Sequence, residues 1–125
     1  MNETIYFITH PNVVISKDVP VEKWPLSELG RDRMRAALKQ PWMKDISAIY
    51  CSTEQKAIDG ARIIGDHLSL PFQKITELGE NDRSSTGYLP ADEFERVADE
   101  FFAHPDKSVR GWERAIDAQQ RIVTA

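Results

Sequence analysis

The sequence predicts an α/β fold with three layers, in which helices cover both faces of a mostly parallel sheet. Short apolar segments rich in β-branched and aromatic residues alternate with longer segments of helical periodicity. The apolar segments lack regular polar alternation, which is typical of strands that are buried on both faces. A length of 125 residues fits one domain, so we treat residues 1–125 as a single unit.

Three segments are predicted to be strands. Thr4–Thr9 is almost entirely β-branched or aromatic and indicates a first strand, buried on both faces, that ends at His10 and Pro11. Ile46–Cys51 has the same character and indicates a second strand. Phe72–Ile75 indicates a short third strand. Three strands make a thin sheet for this class, so we expect that a C-terminal part of the domain is missing.

The helical segments are recognised by apolar residues at spacings of three and four. Most of them are bounded by capping residues or by proline, which cannot continue a helix. The long polar stretch between residues 76 and 88 has no such period and predicts a loop of the kind that often carries function. The predicted helices are the segment that Ser27 opens and Pro41 ends, residues 55–68, the segment from Pro90 to His104, and residues 108–125.

Composition limits the function classes. The net charge is −4, from 20 acidic and 16 basic residues, which argues against a nucleic-acid-binding protein. Cys51 is the single cysteine, which excludes an intrachain disulfide and a cysteine-rich zinc site and favours a reducing compartment. We see no secretory signal and no apolar run near the roughly 20 residues of a membrane span. The expected location is therefore the cytoplasm, with no membrane partner.

Chemically capable side chains follow each predicted strand. His10 ends the first strand, Ser52 and Lys56 lie in the turn and helix start after the second, and Glu80 lies in the loop after the third. In open α/β sheets, ligands bind outside the carboxyl ends of the strands. The sequence therefore predicts one site that these four residues share.

The order and spacing of these motifs resemble the histidine phosphatase (phosphoglycerate mutase-like) superfamily. Thr9-His10-Pro11 corresponds to the family's Arg-His-Gly, and Leu26–Gly30 corresponds to Leu-Thr-x-x-Gly. Ser52–Ala61 corresponds to Ser-x-x-x-Arg-Ala-x-x-Thr-Ala, and Leu78–Glu80 corresponds to Leu-x-Glu. The resemblance runs from about residue 4 to residue 80, and more loosely through the later helices.

The resemblance implies a phosphoglycerate mutase-like fold, which we expect to be truncated in this chain, and a phosphatase that acts on a phosphomonoester without a metal or other cofactor. His10 would be the nucleophile that is transiently phosphorylated, and Glu80 would protonate the leaving alcohol. The latter role requires a raised pKa for Glu80. The substrate would be a phosphorylated small molecule or a phosphoprotein. The candidate phosphate contacts are Thr9, Asn12, Ser52, Lys56 and Arg83.

The sequence departs from the family pattern at several positions. Thr9 stands where the family has an arginine, Lys56 where it has a second arginine, and Pro11 where it has glycine. The family's second catalytic histidine has no counterpart, because His104 precedes a helix and does not follow a strand. Arg83 could replace a lost guanidinium. The alternative function is a catalytically impaired phosphate-binding or interaction module, and the sequence indicates neither the substrate nor the oligomeric state.

Each candidate also has a purely structural interpretation. His10 could be a strand-end histidine bonded to the backbone, and Lys56 is as well explained by a surface lysine as by a phosphate contact. Glu80 could be solvated, and the turn at residues 81–84 could serve only hydrogen bonding. Cys51 is expected to be a small buried residue rather than a nucleophile. Packing roles are expected for Trp24, Trp42 and Trp112.

Overall fold

The computed structural model describes residues 3–125 and has an α/β architecture. Met1 and Asn2 lie outside the described residues. The expectation that the chain has no secretory signal rests partly on these two residues. No helix within the described part of the chain is long and apolar enough to cross a membrane. The regular elements, in chain order, are α1 (Glu28–Ala37), β1 (Ile49–Cys51), α2 (Gln55–Leu68), β2 (Phe72–Lys74), α3 (Ala91–Ala103) and α4 (Ala115–Thr124).

The sheet found within residues 3–125 consists of β1 and β2, which pair in parallel with Ile49 opposite Phe72 and Cys51 opposite Lys74. Helix α2 is the crossover that connects them. A side chain at Gly65 would lie 2.7 Å from the carbonyl oxygen of Leu70, so glycine permits the close approach of α2 to the start of β2. The parallel pairing and the third predicted strand are confirmed, whereas the second strand is shorter than Ile46–Cys51.

The prediction of a buried first strand at Thr4–Thr9 is wrong. No strand is assigned there, and the side chains of Ile5 and Phe7 are 89% and 81% exposed. A strand is stable only when neighbouring strands satisfy its backbone groups, and β1 and β2 pair with each other without this segment. Its aromatic contact with the rest of the chain is the ring of Tyr6, which stacks on Trp42 at 4.6 Å.

The helix predictions are confirmed for the first three helices. The hydroxyl of Ser27 accepts from the backbone N–H of Gly30 at 3.1 Å and caps α1. Helix α2 has the predicted bounds, and α3 begins directly after Pro90. The prediction for residues 108–125 is wrong over its first part, because Arg110 and Gly111 adopt positive φ angles of 51° and 81°, so α4 begins only at Ala115.

Two apolar clusters hold these elements together. The first lies where α1 and α2 pack on each other, and the second joins α3 to the turn before α4. Trp24 and Trp112 are buried and Trp42 packs against the first cluster, which confirms the packing roles expected for the tryptophans. The buried members are Met34, Met43 and Ile64 in the first cluster, and Val97, Phe101, Val109 and Trp112 in the second.

Candidate active site

The carboxylate of Glu80 is the centre of the candidate site. Its Oε1 lies 3.2 Å from Nε2 of His10. Its Oε2 lies 3.1 Å from Nζ of Lys56 and 2.9 Å from Nη2 of Arg83. The fold therefore brings together four residues that the sequence singled out, although they come from four separate positions along the chain.

His10 is oriented by its own backbone. Its Nδ1 lies 2.8 Å from the carbonyl oxygen of Pro11, and because a carbonyl can only accept, Nδ1 carries a proton. The opposite nitrogen, Nε2, is thereby directed at Glu80. The expected bond of His10 to the backbone is confirmed, and His10 also lies beside Glu80, whereas its role as a nucleophile stays a prediction.

Lys56 is buried, with 4% of its surface exposed, so the interpretation as a surface lysine is wrong. It lies in the first turn of α2, where the positive end of the helix dipole disfavours a cation. Two carboxylates offset this, because Nζ lies 3.4 Å from Oε2 of Glu54 in addition to its contact with Glu80.

Ser52 reaches the cluster through Glu54. The buried hydroxyl of Ser52 donates to Oε1 of Glu54 at 3.2 Å and accepts from the Glu54 backbone N–H at 3.3 Å. The same Oε1 accepts from the backbone N–H of Glu80 at 2.8 Å. Sequence reasoning missed the role of Glu54, although its position two residues before Lys56 in the turn was a usable signal.

Arg83 is held in the cluster by aromatic rings. Its guanidinium lies 5.2 Å from the ring centre of Phe94 and 5.9 Å from that of Trp112. Cation–π contacts of this kind restrict where the guanidinium can point. Arg83 lies near His10, as its suggested role requires, because both side chains contact the carboxylate of Glu80. Its contact with phosphate stays a prediction.

Thr9 and Asn12 are not brought to the carboxylate of Glu80. Thr9 is exposed. The side-chain oxygen of Asn12 accepts from Nη1 of Arg33 at 2.6 Å, and its carbonyl accepts from the backbone N–H of Ser27 at 2.9 Å. Asn12 therefore ties the segment after His10 to α1, and the phosphate contacts expected from these two residues remain predictions.

The pKa of Glu80 departs from the expectation. Burial raises this pKa, but the charge and hydrogen bond of Lys56, followed by the charges of Arg83 and His10, outweigh burial, and the net pKa is lowered. Glu80 is thus an ionised carboxylate near neutral pH, and the expected raised pKa is wrong for this arrangement of charges. An ionised carboxylate only accepts, so the 3.2 Å contact between Glu80 and His10 is a hydrogen bond in the form of His10 that carries a proton on Nε2.

Arg121 in α4 is a second residue that sequence reasoning missed. Its guanidinium donates to the carbonyl oxygens of Glu77 at 2.7 Å, Gly79 at 2.8 Å and Glu80 at 3.0 Å. It also makes a two-point ion pair with Glu113, at 3.1 and 2.8 Å. No sequence signal identified this arginine, since it lies 41 residues from Glu80 on a helix with no motif.

Comparison with solved structures supports the fold. A mycobacterial glucosyl-3-phosphoglycerate phosphatase superposes with a TM-score of 0.77 at 21% identity, over 92% of this chain and 57% of that one. Mycobacterial hydrolase 2 gives 0.74 at 20% identity, over 92% and 52%. The Bacillus stearothermophilus protein YhfR gives 0.62 at 25% identity, over 84% and 55%. The chain thus spans little more than half the length of these structures.

Comparison with curated protein sequences found no significant match. The family model of the histidine phosphatase superfamily, branch 1, matches residues 5–125, which is nearly the whole chain. This match covers the segment that carries His10 and every residue around Glu80. The chain therefore belongs to branch 1 of the histidine phosphatase superfamily.

Proposed function

We propose that the protein is a phosphatase that hydrolyses a phosphomonoester through a phosphohistidine at His10. The observation that carries the proposal is that His10, Lys56 and Arg83 all contact the carboxylate oxygens of Glu80. Such a set of donors suits a phosphoryl group, whose oxygens carry the negative charge that develops during transfer. Membership of the superfamily agrees with this chemistry.

Lys56 and Arg83 would bind the phosphate oxygens. Both cations contact the carboxylate of Glu80, so an incoming phosphate dianion would compete with that carboxylate for them. Arg83 offers a planar fork of donors and Lys56 a compact charge. When the phosphate takes over both cations, Glu80 loses the interactions that lower its pKa and gains a negative neighbour, so its affinity for a proton rises.

The contact between His10 and Glu80 would then move the required proton. In the form of His10 that is protonated on Nε2, this proton passes across the 3.2 Å contact to Oε1 of Glu80, which frees the Nε2 lone pair. Nε2 attacks phosphorus, the bond from phosphorus to the alcohol oxygen breaks, and Glu80 gives its proton to that oxygen. Water then attacks the phosphohistidine, Glu80 accepts a proton from the water, and inorganic phosphate leaves.

A second function of a different class is a phosphate-binding module with no turnover. The specific observation in its favour is that Thr9, in the place of the family's first arginine, is exposed and is not among the partners of Glu80. Loss of one oxyanion donor lowers the rate by about 10²–10³ in other enzymes. This chain also covers only 57% of the length of the mycobacterial glucosyl-3-phosphoglycerate phosphatase, which is a further reason to keep this alternative.

The substrate class stays a phosphorylated small molecule or a phosphoprotein. A structural relative that acts on glucosyl-3-phosphoglycerate supports the small molecule. The proposed location is the cytoplasm, where the buried thiol of Cys51 would remain reduced. We propose neither a nucleic-acid nor a membrane partner, and no metal or other cofactor.

The test is hydrolysis of p-nitrophenyl phosphate in the presence of EDTA by the wild type, His10→Ala and a control, His104→Ala. His104 follows α3 and lies outside the cluster around Glu80. We expect turnover in the wild type and the control, no turnover in His10→Ala, and an acid-labile phosphorylated species on rapid quenching of the wild type. Turnover that survives in His10→Ala would refute the proposed mechanism. Vanadate binding without turnover in any form would support the binding module.

A further inference from the structure

Two residues of the C-terminal region hold the loop that carries Glu80. We infer that Arg121, itself held by Glu113, is a positioning residue that sets the Glu80 carboxylate between His10, Lys56 and Arg83. Arg121 lies on α4 and does not contact the carboxylate of Glu80, so its effect is on the backbone that carries this residue. The expected catalytic consequence rests on the proposed phosphatase function.

The contacts of Arg121 are concentrated on the residues that lead into Glu80. The guanidinium of Arg121 donates to the carbonyl oxygens of residues 77, 79 and 80, all at 3.0 Å or less. Three carbonyls that converge on one planar group fix the path of the chain through this segment. Lysine cannot reproduce this arrangement, because its ammonium group lacks the rigid fork of donors.

Glu113 extends the same support to the other side of Glu80. Its Oε1 accepts from the backbone N–H of Asp82 at 3.1 Å while it also accepts from Arg121. The backbone of Glu113 adds a further contact, since its N–H donates to the carbonyl of Asp82 at 2.8 Å. The loop is therefore held before and after Glu80 by a single ion pair whose side chains are 23% and 19% exposed.

Glu80 needs this support because its other backbone contact is a single bond to Glu54. In this hydrogen bond the N–H of Glu80 donates to Oε1 of Glu54. The same oxygen also accepts from the hydroxyl of Ser52. The loop between residues 79 and 83 contains no regular secondary structure that could hold Glu80 in place. The carboxylate position is thus set by side-chain contacts, of which those of Arg121 are the most numerous on the backbone.

Arg114 provides a matched control. It also makes a two-point ion pair, with Asp117 at 2.8 and 3.0 Å, but this pair lies on the surface and its further contact is the carbonyl of Asp106. Arg114→Lys therefore removes an arginine fork from the start of the same helix without touching the loop of Glu80.

The first readout does not depend on activity. We would titrate the Glu80 side-chain carboxyl by carbon NMR and measure amide exchange at residues 79–82 in the wild type, Arg121→Lys and Arg114→Lys. In Arg121→Lys we expect amide exchange to accelerate about tenfold and the Glu80 titration to move up toward its ordinary range. Arg114→Lys should match the wild type. An unchanged Glu80 titration and unchanged exchange in folded Arg121→Lys would overturn the inference.

The second readout compares leaving groups. An alkyl phosphate needs the proton from Glu80 far more than p-nitrophenyl phosphate does, because an alkoxide is a much poorer leaving group. In Arg121→Lys we expect kcat/KM for both substrates to fall, because Glu80 also frees the Nε2 lone pair of His10, but to fall at least about tenfold further for the alkyl phosphate, which alone needs the proton from Glu80. Equal losses on both substrates would overturn the positioning role. A wild type inactive on both would refute the proposed function and leave the NMR readout decisive.

Discussion

The ammonium group of Lys56 lies 3.1 Å from the carboxylate of Glu80, and only 5% of the lysine side chain is exposed. This contact joins the first turn of α2 to the loop after β2, and Glu54 extends it on the other side of the ammonium group. A buried cation is tolerated only where opposite charges and hydrogen bonds replace its water. Lys56 is therefore part of the structure as well as of the site.

Replacing Lys56 with methionine should destabilise the protein strongly. The substitution keeps the length and the apolar stem but removes the cation that lies between the carboxylates of Glu54 and Glu80. We expect a loss of about 3 kcal/mol in the free energy of unfolding, measured by urea denaturation at pH 7. Lys39→Met, at an exposed position after α1, is the control and should change stability by less than about 0.5 kcal/mol. Equal effects of the two substitutions would contradict the structural role of Lys56.

The site was more predictable than the sheet. Motif order identified His10, Lys56 and Glu80. Lys56 and Glu80 follow β1 and β2, whose carboxyl ends lie at one edge of the sheet, whereas His10 reaches them from a segment that forms no strand. The strand at Thr4–Thr9 was predicted from its composition alone, whereas a strand also needs neighbours, and composition cannot show whether they exist. Arg121 was missed because its function depends on a contact across 41 residues of sequence.

The lowered pKa of Glu80 predicts how stability depends on pH. A carboxyl group whose pKa is lower in the folded than in the unfolded protein stabilises the fold above its unfolded pKa, about 4.3, and loses that contribution as the pH falls through the folded value. We therefore expect the wild type to be more stable than Glu80→Gln at pH 7. The difference should shrink steadily below about pH 4.5.

Urea unfolding of both proteins between pH 3 and pH 7 would check this dependence. A difference between wild type and Glu80→Gln that stayed constant across the range would mean that the Glu80 carboxylate gains nothing from Lys56 and Arg83 in the folded state. A difference that grew toward low pH would mean that burial outweighs those cations and that the Glu80 pKa is raised.

Gly30 predicts a steric effect on the segment that carries His10. A side chain at Gly30 would collide with the carbonyl oxygen of Asn12, a backbone atom that cannot move aside alone. Gly30→Ala should therefore push residues 10–12 away from α1 and lower the free energy of unfolding by about 1–3 kcal/mol. Vanadate affinity should fall as well, because His10 lies two residues from Asn12.

Gly60→Ala is the matched control for this effect. A side chain there would meet the terminal carbon of Met34 at 3.0 Å, which is the flexible end of a side chain and can shift. Alanine also favours the helical backbone over glycine by about 1 kcal/mol. The control should thus be neutral or slightly stabilising in the same urea unfolding experiment. A Gly30→Ala protein as stable as Gly60→Ala would show that the Asn12 segment accommodates the added carbon.

Asp59 should contribute to stability through hydrogen bonds at a buried position. This residue of α2 is 6% exposed, and its carboxylate accepts from the backbone N–H of Leu26 at 3.1 Å, from Arg31 at 3.3 Å and from Gln55 at 2.8 Å. It thereby anchors the segment before α1, which in turn contacts Asn12. Asp59→Asn removes the charge and one of the two accepting oxygens.

We expect Asp59→Asn to lose about 1.5–3 kcal/mol in the free energy of unfolding, because bonds to a charged group are among the stronger ones and the Leu26 N–H is buried. Asp32→Asn is the control: Asp32 pairs with Arg35 on the surface, with 72% of its side chain exposed, and should change stability by less than about 0.5 kcal/mol. If Asp59→Asn lowered the free energy of unfolding as little as Asp32→Asn, water would have replaced the contacts of Asp59. The contact between α2 and the His10 segment would then depend on apolar packing alone.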